Sequence, residues 1–355
     1  MLMIGQRDEF HLVYLFINDI KEEKISGLAH VAEHAMLFPL YKTARFARMG
    51  YTCNTHVCLH FCSNSLEVLQ ELDKRIICGC SITDDNIECA KSQVAHEIIS
   101  LFADTEKKKE LVKFVTDSRV CKFAMGDIAE ITKINTSDVQ KWFAEKLCHN
   151  NICRFLFRRT DRKMLSEPIY SEIGWKKGVN EDSYSEGDKY YCYGKNEGSA
   201  SFIDMYFKVP VLNQKLDFIK KALFEYCVKN RIFDTLKINL RISDKFFDYD
   251  ERYLLISMPW YESNNVEKVI YDIREIVSKI TWSEFEGYKQ DFEEVLRLFY
   301  AKGESSYDYV NARKNSILYD LPMINEQDLQ LIEQIDFSSF PTERIVKQTL
   351  RVVIR

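Results

Sequence analysis

The sequence predicts an α+β chain: two homologous α/β domains, each a mainly antiparallel sheet covered by helices, joined by a linker. Three observations carry that expectation. A strand-then-helix order that opens near residue 11 returns in broadly the same order from residue 201, without a strong residue-level repeat. Between these halves, residues 166–200 gather Pro168, Gly174, Gly178, Gly187, Gly194 and Gly198 among Ser, Asn, Asp and Glu, which is turn chemistry. A length of 355 residues with 46% hydrophobic content is enough for two separate cores. We expect a first domain over residues 1–165, a linker over 166–190 and a second domain over 191–355.

The elements follow in order. His11–Asn18 is apolar and rich in β-formers, a buried strand. The polar run from Asp19 to Ser26 leads to a helix over residues 27–38, with Ser26 or Gly27 near its start. After Pro39 a short helical piece is expected to reach Met49-Gly50, and Tyr51–Ser63 alternates as one strand. One face of that strand carries Cys53, Thr55, Val57, Leu59 and Phe61, the other Asn54, His56, Cys58, His60 and Cys62. Leu66–Cys78 is an amphipathic helix. Thr83 caps a helix reaching about Ala103, with the stripe Ile87, Ala90, Val94, Ile98 and Leu101. Lys107–Lys113 reads as a solvated helix face. A helix capped at Thr136 or Ser137 and a strand over Asn151–Phe157 close the first half. In the second half the pattern predicts a strand over Ser201–Val209, a helix around Leu216–Asn230, a strand over Tyr253–Met258, helices from Val266 and a last strand over Leu350–Ile354.

Composition excludes several classes. A net charge of -5 with interleaved acids and bases leaves no footprint for nucleic acid. The first residues are interrupted by Arg7 and do not read as a secretory signal, and no apolar run approaches the length of about 18 that a membrane span needs. Eleven cysteines scattered through a long chain suit a cytoplasmic protein with reduced thiols.

Chemistry concentrates early. All seven histidines lie in the first 150 residues. Within the expected helix the run His30-Val-Ala-Glu33-His34 sets two imidazoles one turn apart, so both can reach one ion. Glu33 stands where it can hold and deprotonate a water, and the order is the inverzincin signature. A helix with two ordinary surface histidines is the competing reading. Glu97 borders the stripe of its helix, where a buried carboxylate costs several kcal/mol unless it meets a cation, which makes it the candidate third ligand. The His56–Cys62 face suggests a second donor set, but four positions along a strand span about 20 Å, too far for one ion. If that strand lies at a sheet edge, Asn54, Thr55 and His56 are candidates to receive an extended peptide as an added strand.

These residues resemble the insulysin/pitrilysin family of zinc peptidases, particularly its small two-domain members akin to mitochondrial processing peptidase. The match runs through Gly27–Phe38, then Met49-Gly50-Tyr51-Thr52-Cys53-Asn54, Val94-Ala95-His96-Glu97-Ile98, Met125-Gly126 and Asn135–Val139. The resemblance implies zinc bound by His30, His34 and Glu97, with Glu33 as general base. It implies a zinc metalloendopeptidase subunit acting on small or unfolded peptides, leader removal from a ribosomally made peptide among them. Family members carry in the second domain an Arg and a Tyr that grip the scissile carbonyl. Aligned here, that pair falls on Lys237 and Asp244, and the Tyr is absent. This implies a heterodimer whose homologous second subunit supplies Arg and Tyr, with Lys237 or Arg241 as an alternative source of positive charge. The alternative reading is a non-catalytic peptide-binding or scaffold subunit of the same fold.

Overall fold

The computed structural model describes residues 9–18, 20, 23–40, 45–78, 82–100, 102–119, 122–147, 151–160, 163–167, 188–192, 201–209, 214–247, 252–260, 265–303, 305–339 and 350–354. The expected linker over 166–190 falls mostly outside them.

β1 (Glu9–Ile17) is apolar along most of its length, and Leu12 to Phe16 are buried whichever face they point to. A strand covered on both sides belongs at the middle of a sheet, and β1 is the central strand of sheet 1. α1 (Leu28–Leu37) follows, then a 3-10 turn (Phe38–Leu40), β2 (Ala47–Thr52) and β3 (His56–Ser63). β3 pairs antiparallel with both β1 and β2, so β1 and β2 run parallel and α1 is their crossover. α2 (Leu66–Ile77), α3 (Asp84–Ser100), α4 (Phe102–Val115), α5 (Ile128–Ile131) and α6 (Thr136–Lys146) come next. β4 (Ile152–Thr160) then pairs with the free side of β1, and β5 (Lys163–Glu167) with β4, giving the order β2-β3-β1-β4-β5. Leu12, Tyr14 and Phe16 with Val57, Leu59 and Phe61 form the sheet's contribution to a core shared with α1, α3 and α6. Each such side chain, fully buried, contributes about 1.5–3 kcal/mol.

The second half repeats this plan. β7 (Ser201–Lys208) follows β6 (Lys189–Cys192), and α7 (Lys215–Leu236) crosses to β8 (Arg241–Phe246). β9 (Arg252–Trp260) inserts antiparallel between β7 and β8, as β3 does between β1 and β2. α8 (Val266–Ser278), α9 (Trp282–Lys302) and α10 (Ser306–Tyr319) precede β10 (Arg351–Ile354), which takes the far side of β7. Sheet 2 is ordered β8-β9-β7-β10-β6, and β6 with β10 is its parallel pair. The protein is α+β, as the sequence predicts.

The chain divides into two compact units: one draws on Met1–Lys113, Ser118–Lys176 and Glu304–Ile317, the other on Phe114–Asp117, Lys177–Gly303 and Leu318–Arg355. No single cut yields this division. Most of α10 joins the first unit, where it covers the face of sheet 1 opposite α1: Tyr309 packs on Phe157, and Lys314 donates to the Tyr51 hydroxyl at 3.1 Å.

Several expectations are corrected. Met49-Gly50 is strand rather than helix, and Tyr51–Ser63 is two strands rather than one. Cys53 N donates to His56 O at 2.8 Å and closes a tight turn between β2 and β3. Continuous alternation hid that turn, because it uses neither Gly nor Pro. The cap of α6 is Asn135, one residue early: its Oδ1 accepts from Asp138 N, and Asp138 returns the bond to Asn135 N. The Thr83 helix ends at Ser100, and α7 runs on to Leu236. β8 was not expected, since Arg-Ile-Ser-Asp-Lys-Phe is too charged to read as a strand; it is an edge, where such residues are tolerated. Among the described residues no helix is long and apolar enough to cross a membrane.

The far face of sheet 1 buries imidazoles in their neutral form. Burial and the Lys314 charge push His56 down to about 3, and burial with His11 pushes His60 down to about 4. The unfolded chain takes up these protons below about pH 6.5 while the folded chain does not, so stability is lost as pH falls through that value. The loss expected for the metal-free protein is on the order of 1 kcal/mol per pH unit for each ring. Urea midpoints measured from pH 7 to 4.5 should fall, and less steeply in His60→Gln; equal slopes in the two proteins would contradict this assignment.

Candidate metal centre

α1 begins at a constrained point. Gly27 has φ of +89°, and a β-carbon there would lie 3.0 Å from the Gly126 Cα, so the two chains touch as only glycines allow. Glu23 supplies the cap that Gly27 cannot, accepting from Gly27 N at 3.3 Å and Ala29 N at 2.7 Å. The first turn of α1 is thereby fixed beside the 125–126 segment, and the Met125 carbonyl comes to 3.4 Å from His30 Nδ1.

α1 is buried almost all round through Ala29, Val31, Ala32, Ala35 and Met36. That burial carries His30 and Glu33 inside, each 5% exposed. α3 packs across α1 with its stripe Ile87, Ala90, Val94 and Ile98, as its spacing predicts. Beside that stripe Gln93 and Glu97 stand four residues apart and meet the imidazoles. His34 Nδ1 lies 3.0 Å from Gln93 Oε1. His30 Nε2 lies 3.3 Å from one Glu97 oxygen and His34 Nε2 3.5 Å from the other. The three donor atoms fall within 4.8 Å of one another.

The arrangement can be tested for fit to a cation. Oxygen acceptors face both Nδ1 atoms, so each ring carries its proton there and turns an Nε2 lone pair toward the same carboxylate. Two lone pairs and an anion repel unless a positive charge lies among them. Ligands about 2.0–2.1 Å from a tetrahedral ion stand roughly 3.3–3.4 Å apart, and the separations of 3.3 Å and 3.5 Å, each to a different Glu97 oxygen, lie close to that spacing. The residues fit zinc. Without a cation the nearest substitute is a proton: although burial opposes it, the Glu97 hydrogen bond and the Glu33 and Glu97 charges raise His30 above its usual range. That same bond from His30 holds Glu97 low.

Glu33 has its own seat. Thr52 Oγ1 donates to its Oε2 at 2.7 Å, and burial raises its carboxyl above the usual range. Opposite lies Gly50 of β2, where a β-carbon would stand 2.5 Å from Glu33 Oε1 and 2.6 Å from Leu37 Cδ1. A cleft of about 700 Å³ contains His30, Glu33, His34 and Glu97 and runs along β2 from Phe46 to Thr52.

The remaining expected site residues lie elsewhere. Asn54 and Thr55 lie in the β2–β3 turn and His56 on β3, which is interior to sheet 1, so the three do not form a receiving edge; among the described residues β2 is the edge strand on that side. Thr55 and His56 are buried, and Asn54 Oδ1 accepts from Ala124 N at 2.9 Å. Lys237 caps α7 with φ of +55° and holds its ammonium 5.7 Å over the Phe233 ring; Arg241 opens β8, exposed. Both belong to the second unit. Asp244 pairs with Arg252 and Lys221 there. Sequence reasoning missed Gln93 and Thr52. Gln93 was findable, one turn before Glu97 on the same face, whereas Thr52 becomes relevant only through the pairing of β2.

No family model matches the sequence, and no curated protein matches it. Among solved structures the chain is similar to the first half of the periplasmic protease PqqL from Escherichia coli, with a TM-score of 0.76 and 12% identity over 98% of this chain and 87% of that one. Against a longer PqqL structure the TM-score is 0.75 at 12% identity, covering 98% of this chain but 45% of that chain, so this chain spans less than half its length. It is similar also to a peptidase M16 inactive domain from Pseudomonas fluorescens, with a TM-score of 0.68 and 11% identity over 98% and 92% of the two chains. The fold is that of M16-type peptidases.

The seat of Glu33 is tight enough to test. Gly50→Ala should cost about 1–3 kcal/mol by overpacking, and less in a Glu33→Ala background, where one of the struck groups is gone. Denaturant unfolding of the four proteins measures the difference; an equal cost in both backgrounds would show that Glu33 does not fill the space beside Gly50.

Proposed function

We propose that the chain is a zinc-dependent endopeptidase subunit acting on small or unfolded peptides, in which His30, His34 and Glu97 hold the metal and Glu33 is the general base. The observation that carries the reading is the convergence of two Nε2 lone pairs and one carboxylate beside a second, separately seated carboxylate. When bound, zinc supplies Lewis-acid polarisation of the scissile carbonyl and of a water. The chain's own residues do the rest. Met125 O and Gln93 orient the imidazoles. Thr52 holds one Glu33 oxygen and leaves the other to take a proton from the attacking water and pass it to the departing amine. Burial helps, because a carboxylate with raised proton affinity is the better base.

The cleft supports an extended substrate. β2 is the outer strand of sheet 1 among the described residues, and its Gly50 abuts Glu33. A peptide added along the free edge of β2 needs only main-chain groups to pair, and its carbonyls would pass the base in register. That mode selects unfolded segments over folded proteins, and the leader of a ribosomally made peptide is such a segment. A homologous partner chain would supply the Arg and Tyr that this chain lacks at Lys237 and Asp244. The Asp244 ion cluster favours one second reading, a non-catalytic scaffold of the same fold, because Asp244 is already committed to Arg252 and Lys221.

Purified protein should hold one zinc in this centre. Glu33→Gln should keep that zinc and lose peptide cleavage by about a hundredfold or more, read by metal analysis and a quenched-fluorescence peptide. A wild-type centre that takes up no zinc leaves the scaffold. Cleavage by the isolated chain should be weak and should rise on adding the homologous partner; full activity from the chain alone would refute the two-subunit arrangement.

A further inference from the structure

The face of sheet 1 turned away from α1 carries a second convergence of metal-ligating side chains. Glu9 and His11 stand two apart on β1, so both point to that face, and Cys62 of β3 is the cross-strand partner of His11. Donor atoms of the three lie within 4.8 Å of one another. His11 Nε2 is 3.3 Å from one Glu9 oxygen, and the Cys62 thiol donates to the other at 3.1 Å.

His11 is the informative member. It is 3% exposed, and its ring lies flat on Phe157 with centroids 4.7 Å apart. Its Nδ1 meets His60 Nε2 at 3.0 Å. Its buried Nε2 has no hydrogen-bond partner, since the Glu9 oxygen is close enough to attract it but not aligned to bond. If His11 Nδ1 donates to His60, a bare lone pair faces a carboxylate and a thiol; in the other tautomer the N–H has only the poorly aligned Glu9 oxygen at 3.3 Å. The first state sets a lone pair against an anion, and the second leaves a buried donor poorly satisfied, so each carries a cost. A cation among the three removes that cost.

We propose that Glu9, His11 and Cys62 bind a second divalent transition-metal ion of the zinc class, separate from the centre on α1. One thiolate, one imidazole and one carboxylate suit zinc and cobalt, whereas calcium and magnesium take oxygen ligands. His60 plays for His11 the part that Gln93 plays for His34, holding the far nitrogen so that Nε2 is free. Binding breaks the Cys62 S–H bond, forms a metal–sulfur bond and releases one proton to solvent, with no change of oxidation state. Burial and Glu9 push the metal-free thiol up to about 12, so the ion must displace that proton. Arg159 is the competing cation: its Nη1 lies 3.7 Å from Glu9 and donates to Ser306 Oγ at 3.5 Å. The ion would tie β1 to β3 across the centre of the sheet.

The test uses the full chain, stripped of metal and titrated with zinc and with cobalt(II). Wild type should bind two ions per chain, and His30→Ala/His34→Ala should retain one. The cobalt form of that variant should show a thiolate-to-cobalt charge-transfer band in the near ultraviolet, absent from Cys62→Ser. A variant lacking both imidazoles that binds no metal overturns the proposal. So does the absence of the band from cobalt-loaded wild type, a result that no folding defect can produce. Failure of the α1 centre reads differently: wild type then holds one ion and keeps the band.

Discussion

The contact of α1 with α3 is the constraint on which the rest of the first unit depends. α1 is apolar on nearly every face, so burying it pulls its three polar side chains into the protein, where each needs a partner. α3 provides two of those partners from consecutive turns, Gln93 and Glu97, and the 125 carbonyl and Thr52 complete the set. The arrangement satisfies the outer nitrogen of each imidazole and leaves the inner ones aimed at a shared anion. Hydrogen bonding at both Nδ1 atoms thus turns both Nε2 atoms toward Glu97, the preorganisation that the proposed metal centre would need.

β2 contributes as much as the helices do. Its Gly50 gives Glu33 room, its Thr52 gives Glu33 a hydrogen bond, and its outer edge borders the same cleft. β2 thus sets the position of Glu33 and lines the cleft beside it, while the raised proton affinity comes from burial, which the Thr52 bond opposes. Burial raises Glu33, while the bond from His30 lowers Glu97. In the metal-free chain the two carboxylates are thus pushed apart in proton affinity, Glu33 up and Glu97 down.

The second half uses the same strand order and helix crossover to a different end. α7 buries Ile219, Leu223, Phe224, Cys227, Val228 and Ile232, and the charged groups near it pair with one another: Lys221 with Glu225 and Asp244, and Asp244 with Arg252. No histidine occurs beyond residue 149. A duplicated scaffold that carries a His/Glu cluster in one copy and apolar packing with paired charges in the other is consistent with α+β architecture being set by hydrophobic pattern, and chemistry by a few side chains placed on it.

What the sequence determined by itself was local or periodic. The apolar run of β1, the stripe of α3 and the spacing of His30, Glu33 and His34 each follow from a repeat of two or of 3.6 residues, so they were legible along the chain. Glu97 was legible for the same reason, as an acid at the margin of a stripe. Tertiary structure alone decided what depends on pairing across the chain. The turn at Cys53–Thr55 broke no alternation, and so β2 and its edge were hidden. Thr52, Gly50 and Gln93 matter through what faces them, and α10 covers sheet 1 although it begins at Ser306, well past the last strand of that sheet at Glu167. Periodicity tells which way a side chain points, but only the register of strands and the packing of helices tell what it meets.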